Sequence, residues 1–309
     1  MSWRTRLPAP GPYRWYRMGA ALARAVPPAL TPAVSTVAAL VYQRRMYDQR
    51  AMAARHLRRS HGPGLTGRAL DREVRRLFAS YARYWMESAR IPGRSPARLD
   101  ADTSYEGVEH LERALAAGNG VIMALPHLGG WDYGGAWFAS VGRYPVTVVV
   151  EPVEPPELLA WFTELRRSVG LEIVPLGSDS ATKVLRRLRS GGVVGLLSDR
   201  DILGTGAQVT FFGERTTLPS GPATLAFRTG AAILPTAVYF TGRRGHHGVV
   251  RPPIPVERTG RFRDDTARVT QLLANELEAL IRRAPTQWHL LQPNWPSDRE
   301  LGTTVDTGA

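Results

Sequence analysis

Cysteine is absent from the 309 residues, which excludes disulfides, thiolate metal sites and a cysteine nucleophile, and leaves the redox compartment unreadable. Lysine is almost absent as well. Lys183 is the single one, so 40 basic residues against 27 acidic ones put a formal charge of +13 almost wholly on arginine. That charge favours an anionic partner, either nucleic acid or an anionic membrane surface. No Gly-x-Ser-x-Gly elbow exists, since Gly177-Ser178-Asp179-Ser180-Ala181 fails at its last position. No His-Glu-x-x-His pair occurs either, and His56, His61, His110, His246, His247 and His289 are scattered. A covalent serine or cysteine route is therefore disfavoured, and no metal site is expected. Long apolar runs are missing too. Ala25 to Tyr42 is uncharged over 18 residues, the lower limit for a span, but Pro27, Pro28 and Pro32 interrupt it. No small-residue cleavage site follows it, which argues against a cleaved signal peptide.

What is present begins with enough apolar residues, 43% of the chain, to bury a substantial core. The stretch Val121-Ile122-Met123-Ala124-Leu125-Pro126-His127-Leu128-Gly129-Gly130-Trp131-Asp132 reads as a buried strand that ends at a proline and delivers a histidine. Two glycines turn the chain, and Asp132 opens a helix. A strand that presents an imidazole at its carboxyl end is a common way for an α/β sheet to carry chemistry. The spacing lets Asp132 fold back onto one ring nitrogen and leave the other as a base. The competing reading is a surface histidine beside a helix-capping aspartate.

The rest of the chain alternates between strand and helix patterns. Residues 1–60 read as helical and membrane-proximal but not spanning. Trp3, Arg4, Arg6, Tyr13, Arg14, Trp15, Tyr16 and Arg17 form a basic, aromatic cluster suited to lipid headgroups. Asp71 to Arg90 has helical periodicity at Val74, Leu77, Phe78, Tyr81 and Trp85 and reads as a core helix without chemistry. Ile91 to Ser104 reads as a linker, and Glu106 to Ala117 as a helix. Val146 to Val150, Leu171 to Pro175, Val193 to Ser198, Ala231 to Phe240 and Gly248 to Val256 read as strands, with helices from Pro155 and Ser178 and a last one around Val269 to Ile281. This predicts an α/β fold, a mostly parallel or mixed central sheet with helices on both faces, over residues 61–296, and a polar tail at 297–309. Strands ending at His127 and at Asp199 bring both residues to one sheet edge. Asp199-Arg200-Asp201 also has the form of the Asp-x-Asp metal site of glycosyltransferases, or of a salt-bridged loop. Gly204-Thr205-Gly206 and Pro219-Ser220-Gly221-Pro222 are tight turns able to approach a phosphate.

Taken in order, Ala124-Leu125-Pro126-His127, Gly130-Trp131-Asp132, Val209 to Glu214, Gly221-Pro222-Ala223 and Trp288-His289-Leu290-Leu291-Gln292-Pro293 form a specific set. They resemble the phosphatidylinositol mannoside acyltransferases, a branch of the lipid A late acyltransferase superfamily with its His-x-x-x-x-Asp box. The resemblance covers about residues 15 to 296. It implies transfer of a palmitoyl-like chain from acyl-CoA to a mannose hydroxyl of a phosphatidylinositol mannoside. The enzyme would sit as a peripheral protein on an anionic surface, the cytoplasmic face of the bacterial inner membrane, with no cofactor beyond the donor substrate. Carried over, His127 is the base, Asp132 its neighbour and Asp199 the acidic residue of the Glu-Arg-Asp box, while Arg166, Thr205 and Arg228 join His127 as acyl-CoA contacts. Two departures stand out. Asp199 is one methylene shorter than the family's glutamate, which questions its reach to His127, and Arg228 replaces an acidic residue. The alternatives at this level are a metal-dependent glycosyltransferase using Asp199 and Asp201, and a basic nucleic-acid-binding protein, although no reading helix or aromatic RNA platform is visible.

Overall fold

The structure, a computed structural model, describes residues 12–151 and 155–299. Trp3, Arg4 and Arg6, the side chains of Tyr13, Arg14, Trp15 and Tyr16, and the tail from residue 300 lie outside the described residues. Four helices come first: α1 (Pro12–Ala25), α2 (Thr31–Arg45), α3 (Tyr47–His61) and α4 (Gly67–Ser88). Then follow α5 (Pro96–Ala101), β1 (Thr103–Glu106), α6 (Val108–Ala116), β2 (Val121–Leu125), α7 (Trp131–Ser140) and β3 (Val146–Val150). The middle of the chain gives α8 (Pro156–Arg167), β4 (Glu172–Pro175), α9 (Ser180–Arg189) and β5 (Val193–Leu197). The last part gives β6 (Ala207–Phe211), β7 (Glu214–Leu218), α10 (Gly221–Thr229), β8 (Ala232–Thr241), β9 (Gly245–Val250), α11 (Phe262–Arg283) and α12 (Pro296–Arg299).

Seven strands form one sheet in the order β1-β9-β8-β2-β5-β3-β4. The five from β8 to β4 are parallel, while β9 runs antiparallel to β8 and takes β1 alongside it in parallel. The sheet is thus mixed, as the strand and helix alternation implies. Strand β2 is central and shows why its apolar run is continuous. Ile122 and Ala124 pack with α9, α10, α11 and the separate β6–β7 hairpin, whereas Val121 and Met123 pack with Leu111 of α6 and Phe138 of α7. A strand buried on both faces has no polar positions to spare.

Helices α2, α3 and α4 make their own apolar cluster around Leu57, Val74, Leu77 and Phe78, joined by Leu291 from the C-terminal segment. Ala20 and Ala23 of α1 pack on Met86 and Ala89. No described helix is long and apolar enough to cross a membrane.

Two sequence expectations are corrected. The supposed linker from Ile91 to Ser104 contains a short 3-10 turn, α5 and the first residues of β1. Strand β1 is four residues long and, among the described residues, pairs only with the distant β9, so nothing local marks it. Strand β9 starts at Gly245 and stops at Val250, earlier than the expected Gly248 to Val256, because Pro252 and Pro253 remove the donors a longer ladder needs.

Candidate active site

The carboxyl ends of β2 and β5 carry the site. The two strands pair in parallel with Leu125 opposite Leu197, so His127 and Asp199 each stand two residues beyond a matched pair. Pro126 ends the β2 ladder, and Leu128 N–H turns back to the Pro126 carbonyl at 2.7 Å. Gly129 then takes φ +61°, and a Cβ there would lie 2.1 Å from the Val238 carbonyl, so only glycine fits this turn. The segment is fixed on its far side by Gly129 N–H to Gln287 O (2.8 Å), Gly130 N–H to Val238 O (2.9 Å) and His289 N–H to His127 O (2.7 Å).

His127 Nδ1 donates to Asp199 Oδ1 at 2.7 Å, and the His127 backbone N–H donates to Asp199 Oδ2 at 3.0 Å. The Trp288 indole N–H reaches the same Oδ2 at 2.7 Å. The missing methylene of Asp199 therefore does not prevent contact. The carboxylate is fully buried, whereas the imidazole side chain keeps 18% exposure. Among the described residues no hydrogen bond reaches Nε2. A carboxylate on Nδ1 sets the tautomer with Nε2 unprotonated, which is the arrangement of a general base.

Charge follows from burial and pairing. Burial alone would lower the His127 pKa, but the Asp199 charge and hydrogen bond outweigh it and raise the value above the ordinary 6.5. For Asp199 burial acts upward, yet the His127 charge and the donors from His127 and Trp288 hold its carboxyl below the usual range. Glu151 at the end of β3 adds a weaker upward pull on His127, and Arg200, 3.7 Å from Glu151, opposes it. His289 is buried beside the pair, and burial together with the His127 charge pushes it down to about 3, so it stays neutral.

Asp132 does not fold back onto the imidazole. It accepts from Tyr84 Oη at 2.7 Å and from Arg166 Nε and Nη2 at 2.8 and 3.1 Å. Its own burial pushes its pKa up, but the Arg166 charge and the donors from Arg166, Tyr84 and Ser88 hold it low. The five-residue spacing from His127 is real, but a turn followed by a helix start aims the carboxylate at α4 and α8 and away from its neighbour in sequence. Arg166, expected to meet CoA, is accordingly engaged in a two-point pair within the protein. Thr205 lies exposed in the loop after Asp199, where Asp201 accepts from Gly204 N–H (3.0 Å) and Gly206 N–H (2.8 Å). Arg228 is exposed near the end of α10, two residues before Gly230, which abuts Asn119 just ahead of β2. It therefore stands at the opposite strand edge, a strand's length from His127, roughly 15 Å.

Sequence reading missed several participants. Tyr84 and Ser88 sit on the helix assigned no chemistry. Trp288 and His289 were visible only as a motif match, with no spacing to tie them to Asp199 or His127. Among the described residues no cluster suited to a metal ion is found. Asp199 accepts three donors on its two oxygens, and both oxygens of Asp201 accept backbone N–H groups.

An apolar cavity of about 500 Å³ opens between α1, α2, α4 and α8 and reaches Asp132. Fold and pair together define a class, an α/β protein with a hydrogen-bonded histidine–carboxylate pair at the carboxyl edge of its sheet and an apolar cavity that reaches Asp132. Comparison with known proteins narrows it. The bacterial lipid A biosynthesis acyltransferase family model matches residues 5–297, and the chain belongs to this family. It is 39% identical over 261 residues to the phosphatidylinositol mannoside acyltransferase of Mycolicibacterium smegmatis, covering 79% of this chain and 83% of the relative. It is 42% identical over 225 residues to the protein of that name from Mycobacterium tuberculosis (71% of this chain, 69% of the relative). A lipid A biosynthesis acyltransferase of Haemophilus influenzae is 25% identical over 73% of this chain and 69% of its own length.

Proposed function

We propose that this acyltransferase moves a palmitoyl-like group from acyl-CoA to a mannose hydroxyl of a phosphatidylinositol mannoside, with His127 as the general base. The observation that carries the reading is the His127–Asp199 pair, buried on the carboxylate side and open at Nε2. The names of the relatives at 39% and 42% identity supply the acceptor class.

A sugar hydroxyl is a weak nucleophile at neutral pH, while a thioester carbonyl is already activated. His127 Nε2 takes the hydroxyl proton as the oxygen attacks the thioester carbon. The tetrahedral intermediate then collapses, the C–S bond breaks, and the imidazolium returns the proton to the departing thiolate. Such a base contributes about 10²–10⁴-fold. Asp199 stabilises the imidazolium and keeps Nδ1 protonated, so that Nε2 is the basic atom.

The acyl chain takes the cavity lined by Gly19, Ala20, Ala39, Trp85 and Phe162, where each buried methylene contributes about 0.8 kcal/mol. Thr205, exposed in the loop after Asp199, meets the donor near its thioester. Arg166 offers only the edge of its guanidinium that Asp132 leaves, and Arg228 is left for the distal, phosphorylated end of CoA. No cofactor beyond this donor is required.

Met18, Leu22, Val37, Val41 and Tyr47 on α1, α2 and α3 are exposed. With the net charge of +13, they support peripheral binding to an anionic surface at the cytoplasmic face of the inner membrane. Incubation with palmitoyl-CoA and phosphatidylinositol mannosides, read by mass spectrometry, tests the whole reading. An acylated glycolipid is expected. Product on a lipid A precursor but not on a mannoside would overturn the acceptor.

A further inference from the structure

The C-terminal segment after α11 touches both members of the pair. Trp288 forms an isolated antiparallel bridge with Leu128, His289 N–H donates to the His127 carbonyl (2.7 Å), and Asn294 Nδ2 donates to the Asp199 carbonyl (3.0 Å). The segment is itself clasped from α3. Asp298, fully buried, accepts from Arg55 Nε at 2.9 Å and pairs with Arg59 Nη1 at 2.8 Å. It also accepts the backbone N–H groups of Asn294 and Trp295 at 3.1 and 3.2 Å.

Within this segment Trp288 is 1% exposed and has little freedom to rotate. His56 of α3 packs against its ring at 5.4 Å between centroids, Phe212 at 5.4 Å, Phe211 at 6.1 Å and Trp295 at 6.4 Å. A ring so enclosed holds its N–H as a fixed donor, and the atom it addresses is Asp199 Oδ2 at 2.7 Å.

We infer that Trp288 is a positioning residue for acyl transfer: its indole N–H holds Oδ2 of Asp199, so that Oδ1 is presented to His127 Nδ1 with its negative charge partly shared. The inference rests on the reading of His127 as the base. A neutral donor on a carboxylate stabilises the charged form and makes the carboxylate a weaker proton acceptor. The proton between His127 and Asp199 therefore stays on the imidazole, and the imidazolium is held less tightly than by a bare carboxylate. A base that must release its proton to the leaving thiolate in the same turnover benefits from that restraint.

The other groups facing the pair are Glu151 just after β3, Arg200 from the loop after β5, His289 beside His127, and His56 from α3 behind Trp288. Both histidines are pushed down to about 3, first by burial, so neither changes charge near neutrality. The balance at the imidazole in that range is left to Asp199, Trp288, Glu151 and Arg200.

Trp288→Phe removes the donor. The His127 backbone N–H still holds Oδ2, so the ring–carboxylate contact persists and only the charge sharing is lost. The NMR titration midpoint of His127 is expected to move upward by about one pH unit, a tenfold change in proton affinity. The ascending limb of kcat/KM against pH should follow it. An unchanged or lowered midpoint in folded Trp288→Phe would overturn the assignment. A raised midpoint with an unmoved limb would retire His127 as the base and, with it, overturn a role for Trp288 in acyl transfer. Should Trp288→Phe fail to fold, the wild-type chain supplies the test. The Trp288 indole N–H resonance, assigned through its contacts with Phe211 and Phe212, should follow the His127 titration and lose that response in Asp199→Asn. A resonance indifferent to that titration overturns the proposal.

Discussion

Replacing Asp132 by asparagine separates two explanations of the His-x-x-x-x-Asp box. If Asp132 served the imidazole, the variant would stay folded and shift the pH dependence of turnover. The structure places Asp132 elsewhere, between Tyr84 Oη and the Arg166 guanidinium, with the two charged side chains only 9% and 18% exposed. Loss of the carboxylate charge leaves Arg166 without its counter-ion in a largely dry site. Breaking a buried pair from one side costs about 3–5 kcal/mol. The residual exposure of Arg166 lets water relieve part of this, which points to about 3 kcal/mol. At roughly 2–4 °C per kcal/mol for a chain of this size, Tm should fall by roughly 6–12 °C. A double variant, Asp132→Leu with Arg166→Met, removes both charges and should recover much of the loss, short of the roughly 1–3 kcal/mol for a Tyr84 hydroxyl left without its acceptor. Denaturant unfolding followed by near-ultraviolet circular dichroism measures the stability, and kcat/KM between pH 5.5 and 9 supplies the profile. The Asp132→Asn protein should be less stable, with an ascending limb at the wild-type position. A protein of wild-type stability whose limb has moved would refute this assignment of Asp132.

Two further outcomes test the remaining surfaces. Ala39→Leu should fill part of the cavity and shift the kcat/KM ratio of lauroyl-CoA to palmitoyl-CoA towards the shorter chain by about tenfold or more, since room lost for two methylenes is worth roughly 1.6 kcal/mol; an unchanged ratio would move the acyl chain elsewhere. Sedimentation with phosphatidylinositol-containing vesicles should weaken as salt rises while the exposed Leu22, Val37 and Val41 retain a residual, salt-insensitive part. Equal binding to neutral vesicles at every ionic strength would count against an anionic surface.

The site was legible in sequence where the information is local or strand-borne. The run from Val121 to Leu125 ending at Pro126 placed His127, and the Val193 run placed Asp199 at the same edge, because parallel strands buried on both faces write themselves as apolar stretches. The partner of His127 was not legible. Asp132 is nearer in sequence, but Asp199, 72 residues away, is nearer in space, and register alone makes that choice. Trp288 and Tyr84 escaped for a related reason. A buried indole N–H or phenol reads as core until the atom it addresses is known. Strand β1 was hidden because four residues carry too short a pattern, and the strand it pairs with, β9, lies about 140 residues later in the chain.

The central claim is that His127 removes the acceptor proton, and single-turnover transfer by His127→Ala tests it most directly. The variant should bind palmitoyl-CoA like the wild type, because proton removal is needed in the transition state and not for holding the donor. The raised His127 pKa adds a signature in the unsubstituted protein. The neutral imidazole is the active form, so transfer should increase through an ascending limb centred above the ordinary histidine value of 6.5 and be depressed below it. With donor bound and the fold intact, His127→Ala should transfer at least about 10²-fold more slowly and lose that limb. Near-wild-type transfer in the folded variant, with the same limb still present, would contradict a histidine base at this position.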